Sequence, residues 1–394
     1  MSDAERLRAA WSRGDLARPW SAPTTLDLAH ALALATGADA PDAGDHARTL
    51  ARDIASAEHI VLALVDGLGM HLVDTLSHGS FLRSQLRREL LAVFPSSTAP
   101  ALTSLATQAP PAAHGVLAWF AYLEDADVQA TVLPFVERYS KRPLSEFGVD
   151  AGTVLRASSQ IGCLGPAPAT VVPANIARSV YSGWFAGGAP TTGYTSLRGA
   201  TDAIVARIAA ARTPTFTYLY VPYVDATQHD YGVGHARVRR ALRRVEARLE
   251  RLAGRLALRH ARLVVTADHG LVHVPPERQH HLAPDDPLRA LLRADPSGEP
   301  RLPLFHVAPG RSEAFELAFR ARFGEEFALL PSGEAAAARL FGAAPLSATA
   351  RARLGDYVAV PLATTTFSYR QETPMLGYHG GLHPDEMRVP LVVA

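Results

Sequence analysis

Three continuous apolar runs, each leading into acidic or imidazole groups, constrain this chain more than any other feature. Ile60 to Val65 is followed at once by Asp66, Thr213 to Val221 leads to Asp225 and His229, and Arg262 to Ala267 ends in Asp268-His269. Such runs, partly β-branched and apolar at successive positions, read as strands buried on both faces, the usual state in a parallel sheet covered by helices. Open α/β sheets bind ligands outside the carboxyl ends of their strands, so groups far apart in sequence converge on one rim. Val238, Leu242, Val245, Leu249, Leu252 and Leu256 form a single apolar stripe, which predicts a helix over Ala236 to Leu258. Its many arginines read as the solvated side of a sheet-packing helix in preference to a nucleic-acid surface.

The stretch Phe94 to Gly115, FPSSTAPALTSLATQAPPAAHG, brings hydroxyls toward the same rim. Leu91 to Phe94 reads as a strand stopped by Pro95, and apolar residues recur with helical spacing from Leu102. Thr98 then stands at a helix start, where unpaired N–H groups and a partial positive charge favour an anion. An ordinary N-cap explains such a hydroxyl equally well in isolation. The acids and imidazoles elsewhere favour chemistry. Asp225 and His229 are four apart, on one face of a helical turn, and His379 lies in a glycine-rich loop before the last apolar run. Aspartate oxygens mixed with histidine nitrogens suit zinc or manganese better than calcium. Three Asp and three His suffice for two metal sites, and paired metals ~3.5–4 Å apart clamp both oxygens of a phosphoryl displacement. Metal coordination also activates a threonine hydroxyl, a poor nucleophile at neutral pH.

Composition excludes several alternatives. Lys141 is the only lysine, which removes a P-loop GK[ST] and a Schiff-base lysine. Cys163 is the only cysteine, so neither an intramolecular disulfide nor a thiolate zinc site is available. Lys+Arg of 39 against Asp+Glu of 38 carries no signal for nucleic acid or a membrane surface. The charged N-terminal residues lack a signal-peptide pattern and no window approaches ~18 uninterrupted apolar residues, so the expectation is a cytoplasmic protein without a membrane span. The chain divides into an N-terminal extension (1–55), the first part of an α/β core (56–272), an inserted α+β subdomain (273–365) and a C-terminal return to the core (366–394). Residues 116–196, rich in Gly, Pro and aromatics, read as short strands forming a wall over the site.

Taken together, Val65-Asp66-Gly67, FPSSTAP…HG around Thr98, Asp225…His229…Gly232, Thr266 to Gly270 and His379-Gly380-Gly381 resemble the alkaline phosphatase superfamily, specifically its type I phosphodiesterase and nucleotide pyrophosphatase branch. The resemblance covers roughly residues 58–270 and 375–394. It implies a three-layer sandwich with a mostly parallel central sheet and helices on both faces. It also implies a hydrolase of phosphodiester or pyrophosphate bonds in small nucleotide-type substrates. Thr98 would be the nucleophile, forming a transient phosphothreonine. Asp66, Asp268 and His269 would hold one divalent ion with the Thr98 oxygen, and Asp225, His229 and His379 a second, zinc first and manganese as the alternative. His383 is a spare candidate in the same loop, His114 a structural residue, and His280 and His281 ordinary loop residues. Phosphonate or phosphomonoester hydrolysis, or phosphomutase chemistry, would use the same site. The family's Asn three residues after the nucleophile is replaced by Ala101, and losing one phosphate-holding donor costs ~3 kcal/mol unless replaced.

Overall fold

The three apolar runs become adjacent parallel strands. In the computed structural model, which describes residues 1–54, 57–369 and 375–394, His59–Val65 pairs with Thr215–Val221 on one side and Ala261–Thr266 on the other. The expected boundary at residues 55/56, and residues 370–374 of the expected C-terminal return, lie outside the described residues. All seven residues of His59–Val65 are buried, as a strand between helical layers requires. Ala167–Pro173 and Thr191–Tyr194 extend the sheet in parallel. Arg388–Val393 rejoins it antiparallel to Ala261–Thr266, and Leu86–Leu91 forms the far edge. The strand expected at Leu91 to Phe94 lies earlier, at Leu86–Leu91. Beyond it the chain leaves the ladder, with Ala92 N–H donating to Met387 O at 2.6 Å.

Helices cover both faces. Ala236–Leu256 buries Val238, Leu242, Val245, Leu249, Leu252 and Leu256, the six positions of the apolar stripe. Among the described residues no helix is long and apolar enough to cross a membrane. Thr25–Thr36 packs behind Thr98–Thr107. His30 Nε2 donates to Gln108 O at 2.9 Å, and Thr25 Oγ1 accepts from Val93 N–H at 3.2 Å. The N-terminal segment therefore braces the helix that starts at Thr98.

A second, antiparallel seven-stranded sheet runs in the order Phe327–Pro331, Tyr357–Pro361, Leu302–Val307, Leu292–Glu299, Phe120–Leu123, Val128–Thr131, Val136–Glu137. Strands from residues 116–196 and from 273–365 thus share it. Alternation along its strands separates two cores: Leu302, Leu304, Val358 and Val360 face a cluster with Leu7 and Phe94, whereas Phe305, Tyr357 and Ala359 face a cluster with Phe315, Phe319 and Phe367.

Two buried histidines couple this packing to pH. His114 Nδ1 accepts from Val116 N–H at 3.1 Å and its Nε2 meets Ser104 Oγ at 2.9 Å, while His306 Nε2 meets Ser297 Oγ at 2.9 Å. Burial, reinforced by Arg353 and Arg293 respectively, holds each imidazole down to about 3. In the unfolded chain the same groups titrate near 6.5, so between that value and about 3 the unfolded state binds more protons. Stability is expected to fall as pH drops through that window, by up to roughly 1 kcal/mol per pH unit for each histidine. Urea midpoints measured at pH 7 and pH 5 check this, and equal midpoints would refute it.

Candidate active site

The carboxyl ends of the central strands open into a cavity of about 970 Å³. Asp66 follows the first strand directly, and Gly67 then turns the chain at φ +71°, where an added Cβ would stand 2.8 Å from Asp225 Cα. Only glycine suits that conformation and that close approach. Asp225 and His229 sit one turn apart on helix Tyr223–Tyr231, with His229 Nε2 3.3 Å from Asp225 Oδ2. Asp268 and His269 leave Ala261–Thr266 after one residue. Asp268 Oδ1 accepts from the N–H groups of Gly67 at 3.2 Å and His269 at 3.0 Å, which ties two strand ends together.

Thr98 is the first residue of helix Thr98–Thr107, and Ser97 is its N-cap. The hydroxyl of Thr98 therefore does not cap. It lies 3.1 Å from His269 Nε2 and lines the cavity. His379 enters from the C-terminal loop, its ring stacked on that of His269 with centroids 3.9 Å apart. Asp66, Asp268 and His269 offer ligand atoms all within 4.8 Å of one another, and so do Asp225, His269 and His379. His229 stands beside this second trio, its ring centroid 5.2 Å from that of His379. All seven expected site residues thus meet around one point.

The three imidazoles share one arrangement. Nδ1 of His229 faces Gly377 O at 2.8 Å, that of His269 faces Gly270 O at 3.1 Å, and that of His379 faces Ser96 O at 3.2 Å. A carbonyl only accepts, so Nδ1 carries the proton and Nε2 is turned to the site, as metal-ligating histidines are oriented by their outer partners. Burial, then Asp268 and Asp225, push the Asp66 carboxyl well above the usual carboxylate range. For Asp225 burial acts upward, but His229 outweighs it and holds the carboxyl below its ordinary value; Asp225 in turn overcomes burial to raise His229 to about 9. Burial, with His269 and His229, keeps His379 well below the ordinary imidazole value. Asp66 Oδ1, Asp225 Oδ1 and Asp268 Oδ2 are buried without a hydrogen-bond partner. Converging carboxylates with orphaned oxygens and inward-facing Nε2 atoms fit divalent cations.

Other residues fall where the sequence placed them, or elsewhere. His383 Nδ1 accepts from Asp385 N–H at 3.1 Å and caps helix Pro384–Met387, outside both trios. His114 is bonded inside the core, as described above. His280 meets Glu326 at 2.9 Å and His281 meets Ser368 Oγ at 3.2 Å, in the short strand Gln279–His281. Ala101 is buried in the helix, and its neighbour Leu102 faces the cavity instead. Tyr220, whose hydroxyl donates to Asp66 Oδ2, had a visible signal: it lies on the same strand face as Tyr218, one residue before the strand's end. Glu299, buried in the cavity wall with its carboxyl pushed up by burial to about 7, had none. The upper wall carries Trp119, Phe120, Tyr181, Phe185 and Tyr378, and Lys141 lies at the cavity too.

The chain is a hydrolase of the alkaline phosphatase superfamily, and its residue clusters fit that metal-dependent group. The model of the type I phosphodiesterase / nucleotide pyrophosphatase family matches residues 60–382, and the chain belongs to that family. An inactive form of murine ectonucleotide pyrophosphatase / phosphodiesterase 5, in complex with AMP, superimposes with a TM-score of 0.64 at 15% identity over 84% of this chain and 87% of that one. The human counterpart gives 0.64 at 13% identity, over 85% and 87% of the two chains. Phosphonoacetate hydrolase from Sinorhizobium meliloti 1021, in complex with phosphonoformate, gives 0.58 at 19% identity over 84% and 89%. No curated protein sequence matches the chain significantly.

Proposed function

We propose that the protein hydrolyses phosphodiester or pyrophosphate bonds of small nucleotide-type substrates through a phosphothreonine on Thr98, with two divalent ions, zinc or manganese. The observation that carries this reading is the convergence of three carboxylates and three Nε2 atoms around the Thr98 hydroxyl. Asp66, Asp268 and His269 would hold one ion, and Asp225, His229 and His379 the other. When bound, such ions neutralise phosphoryl oxygens and lower the pKa of a hydroxyl or water. Thr98 Oγ1 forms a bond to phosphorus as the bond to the leaving oxygen breaks, and its proton is lost to solvent. Water then hydrolyses the phosphothreonine and restores the hydroxyl. The start of helix Thr98–Thr107 directs its dipole at the anion.

The wide aromatic cavity suits a substrate with a bulky organic group. That favours a diester over a small phosphonate such as the ligand of the bacterial structure. The test compares bis(p-nitrophenyl) phosphate, p-nitrophenyl phosphate and phosphonoacetate on zinc- or manganese-loaded protein. Expected are fastest turnover of the diester, loss of turnover in EDTA, and a melting temperature raised by either metal. Phosphonoacetate as the best substrate would replace the diester reading. Absence of metal binding in calorimetry would end it.

A further inference from the structure

Glu299 is a buried carboxyl to which the reading above assigns no task. It ends strand Leu292–Glu299 of the second sheet and is 5% exposed, yet it faces the cavity that holds Thr98. Pairing of Gly298 with Phe120 sets it beside Trp119. Its Oε1 accepts from the Ser97 hydroxyl at 2.5 Å and from Trp119 N–H at 2.6 Å. Its Cβ and Cγ pack against Gly380, where an added Cβ would come within 2.8 Å. One side chain thus touches the turn before Thr98, the entry to the second sheet and the residue after His379.

The Ser97 bond has a local cause. A serine N-cap ordinarily accepts from the N–H of the second or third helical residue. Here the third is Pro100, which has no N–H, and Ser97 makes no capping bond. Its hydroxyl is left to bond outward, and Glu299 receives it. Ser97 immediately precedes Thr98, so anchoring Ser97 to Glu299 restrains the stretch of backbone that carries the Thr98 side chain.

We propose that Glu299 is a positioning residue that holds Ser97, and through it the Thr98 hydroxyl, in the attacking orientation. The inference rests on Thr98 being the nucleophile. Displacing a reacting group by about 1 Å costs on the order of 100-fold in rate.

Glu299→Ala, Glu299→Gln, Ser97→Ala and Thr98→Ala are compared on bis(p-nitrophenyl) phosphate, with bound metal and thermal melting measured for each. Expected in Glu299→Ala is a kcat lower by about 100-fold, with KM and metal content close to wild type. Glu299→Gln, whose amide oxygen accepts both bonds, restores most of that loss. Ser97→Ala lowers kcat alone, and the Ser97→Ala/Glu299→Ala pair loses no more than Glu299→Ala. Wild-type kcat in Glu299→Ala, a loss matched by loss of metal, or additive effects in the pair overturn the proposal. Should Glu299→Ala fail to melt cooperatively, wild-type kcat in Ser97→Ala overturns it instead. Turnover surviving in Thr98→Ala defeats the nucleophile reading itself; an inactive Thr98→Ala beside fully active Glu299 and Ser97 variants defeats only this inference.

Discussion

Thr98→Ala is expected to lower diester turnover by roughly 10³-fold or more, the scale seen when a covalent nucleophile is removed. The hydroxyl is buried at the cavity floor, 3.1 Å from Nε2 of His269, the residue the two trios share. Ser97 is its nearest rival in sequence, but that hydroxyl is turned to Glu299. The change removes two heavy atoms from a helix start without a capping bond to lose. The fold should therefore stay near wild type, while the ion held by Asp66, Asp268 and His269 loses the Thr98 oxygen as a donor. Thr98→Ser should retain a substantial part of the activity because it keeps the reacting oxygen. Quenched-flow trapping with a radiolabelled substrate, followed by mass spectrometry of the Thr98 peptide, reads the covalent step directly. Full turnover in Thr98→Ala would show that water attacks without a phosphothreonine.

The second large effect lies beneath the site. Arg301 and Glu386 are both fully buried and form a bidentate pair at 2.6 and 2.8 Å. Arg301 also donates to Ala363 O at 3.1 Å and Thr365 O at 2.9 Å, while Glu386 accepts from Gly381 N–H at 2.9 Å and His383 N–H at 3.2 Å. The pair thereby fastens the loop carrying His379 to the second sheet. Removing one partner strands a charge in a low-dielectric interior, and Glu386→Ala or Arg301→Ala is expected to cost about 3–5 kcal/mol of stability. A double replacement by apolar residues of similar volume, Arg301→Met with Glu386→Leu, should cost less than either single change. Because the loop bears His379, affinity for the second ion should fall in the single variants. Urea unfolding and calorimetric metal titration measure the two effects. Single variants within about 1 kcal/mol of wild type would show that the pair is dispensable.

How far the sequence reaches can be judged from particular residues. Asp66, Asp268 and His269 were legible because buried strands advertise themselves as apolar runs and their ends are where a parallel sheet gathers ligands. Asp225 and His229 were legible because four-residue spacing has one meaning on a helix, and Tyr223–Tyr231 is that helix. Ala167–Pro173 and the edge strand Thr191–Tyr194 carry no such signal, although both belong to the central sheet. Prolines, threonines and a glycine dilute their apolar pattern, and for Ala167–Pro173 the neighbouring strands supply a burial that its composition does not announce. The shared second sheet was equally hidden, since Phe120–Leu123 and Leu292–Glu299 are far apart in the chain and antiparallel pairing leaves no mark in either sequence.

By itself, then, the sequence determined which groups could do chemistry and on which kind of rim they would gather, because strand and helix periodicities are local and residue types are fixed. Tertiary structure alone decided that Ser97 takes the N-cap position while the buried Thr98 hydroxyl turns to His269, that Glu299 receives the Ser97 bond, and that the Arg301–Glu386 pair supports the His379 loop. Those relations depend on register across a sheet and on which side chains remain without local partners. Both are set by the packing of segments far apart in the chain, 202 residues for Ser97 and Glu299 and 85 for Arg301 and Glu386, and no spacing along the chain encodes them.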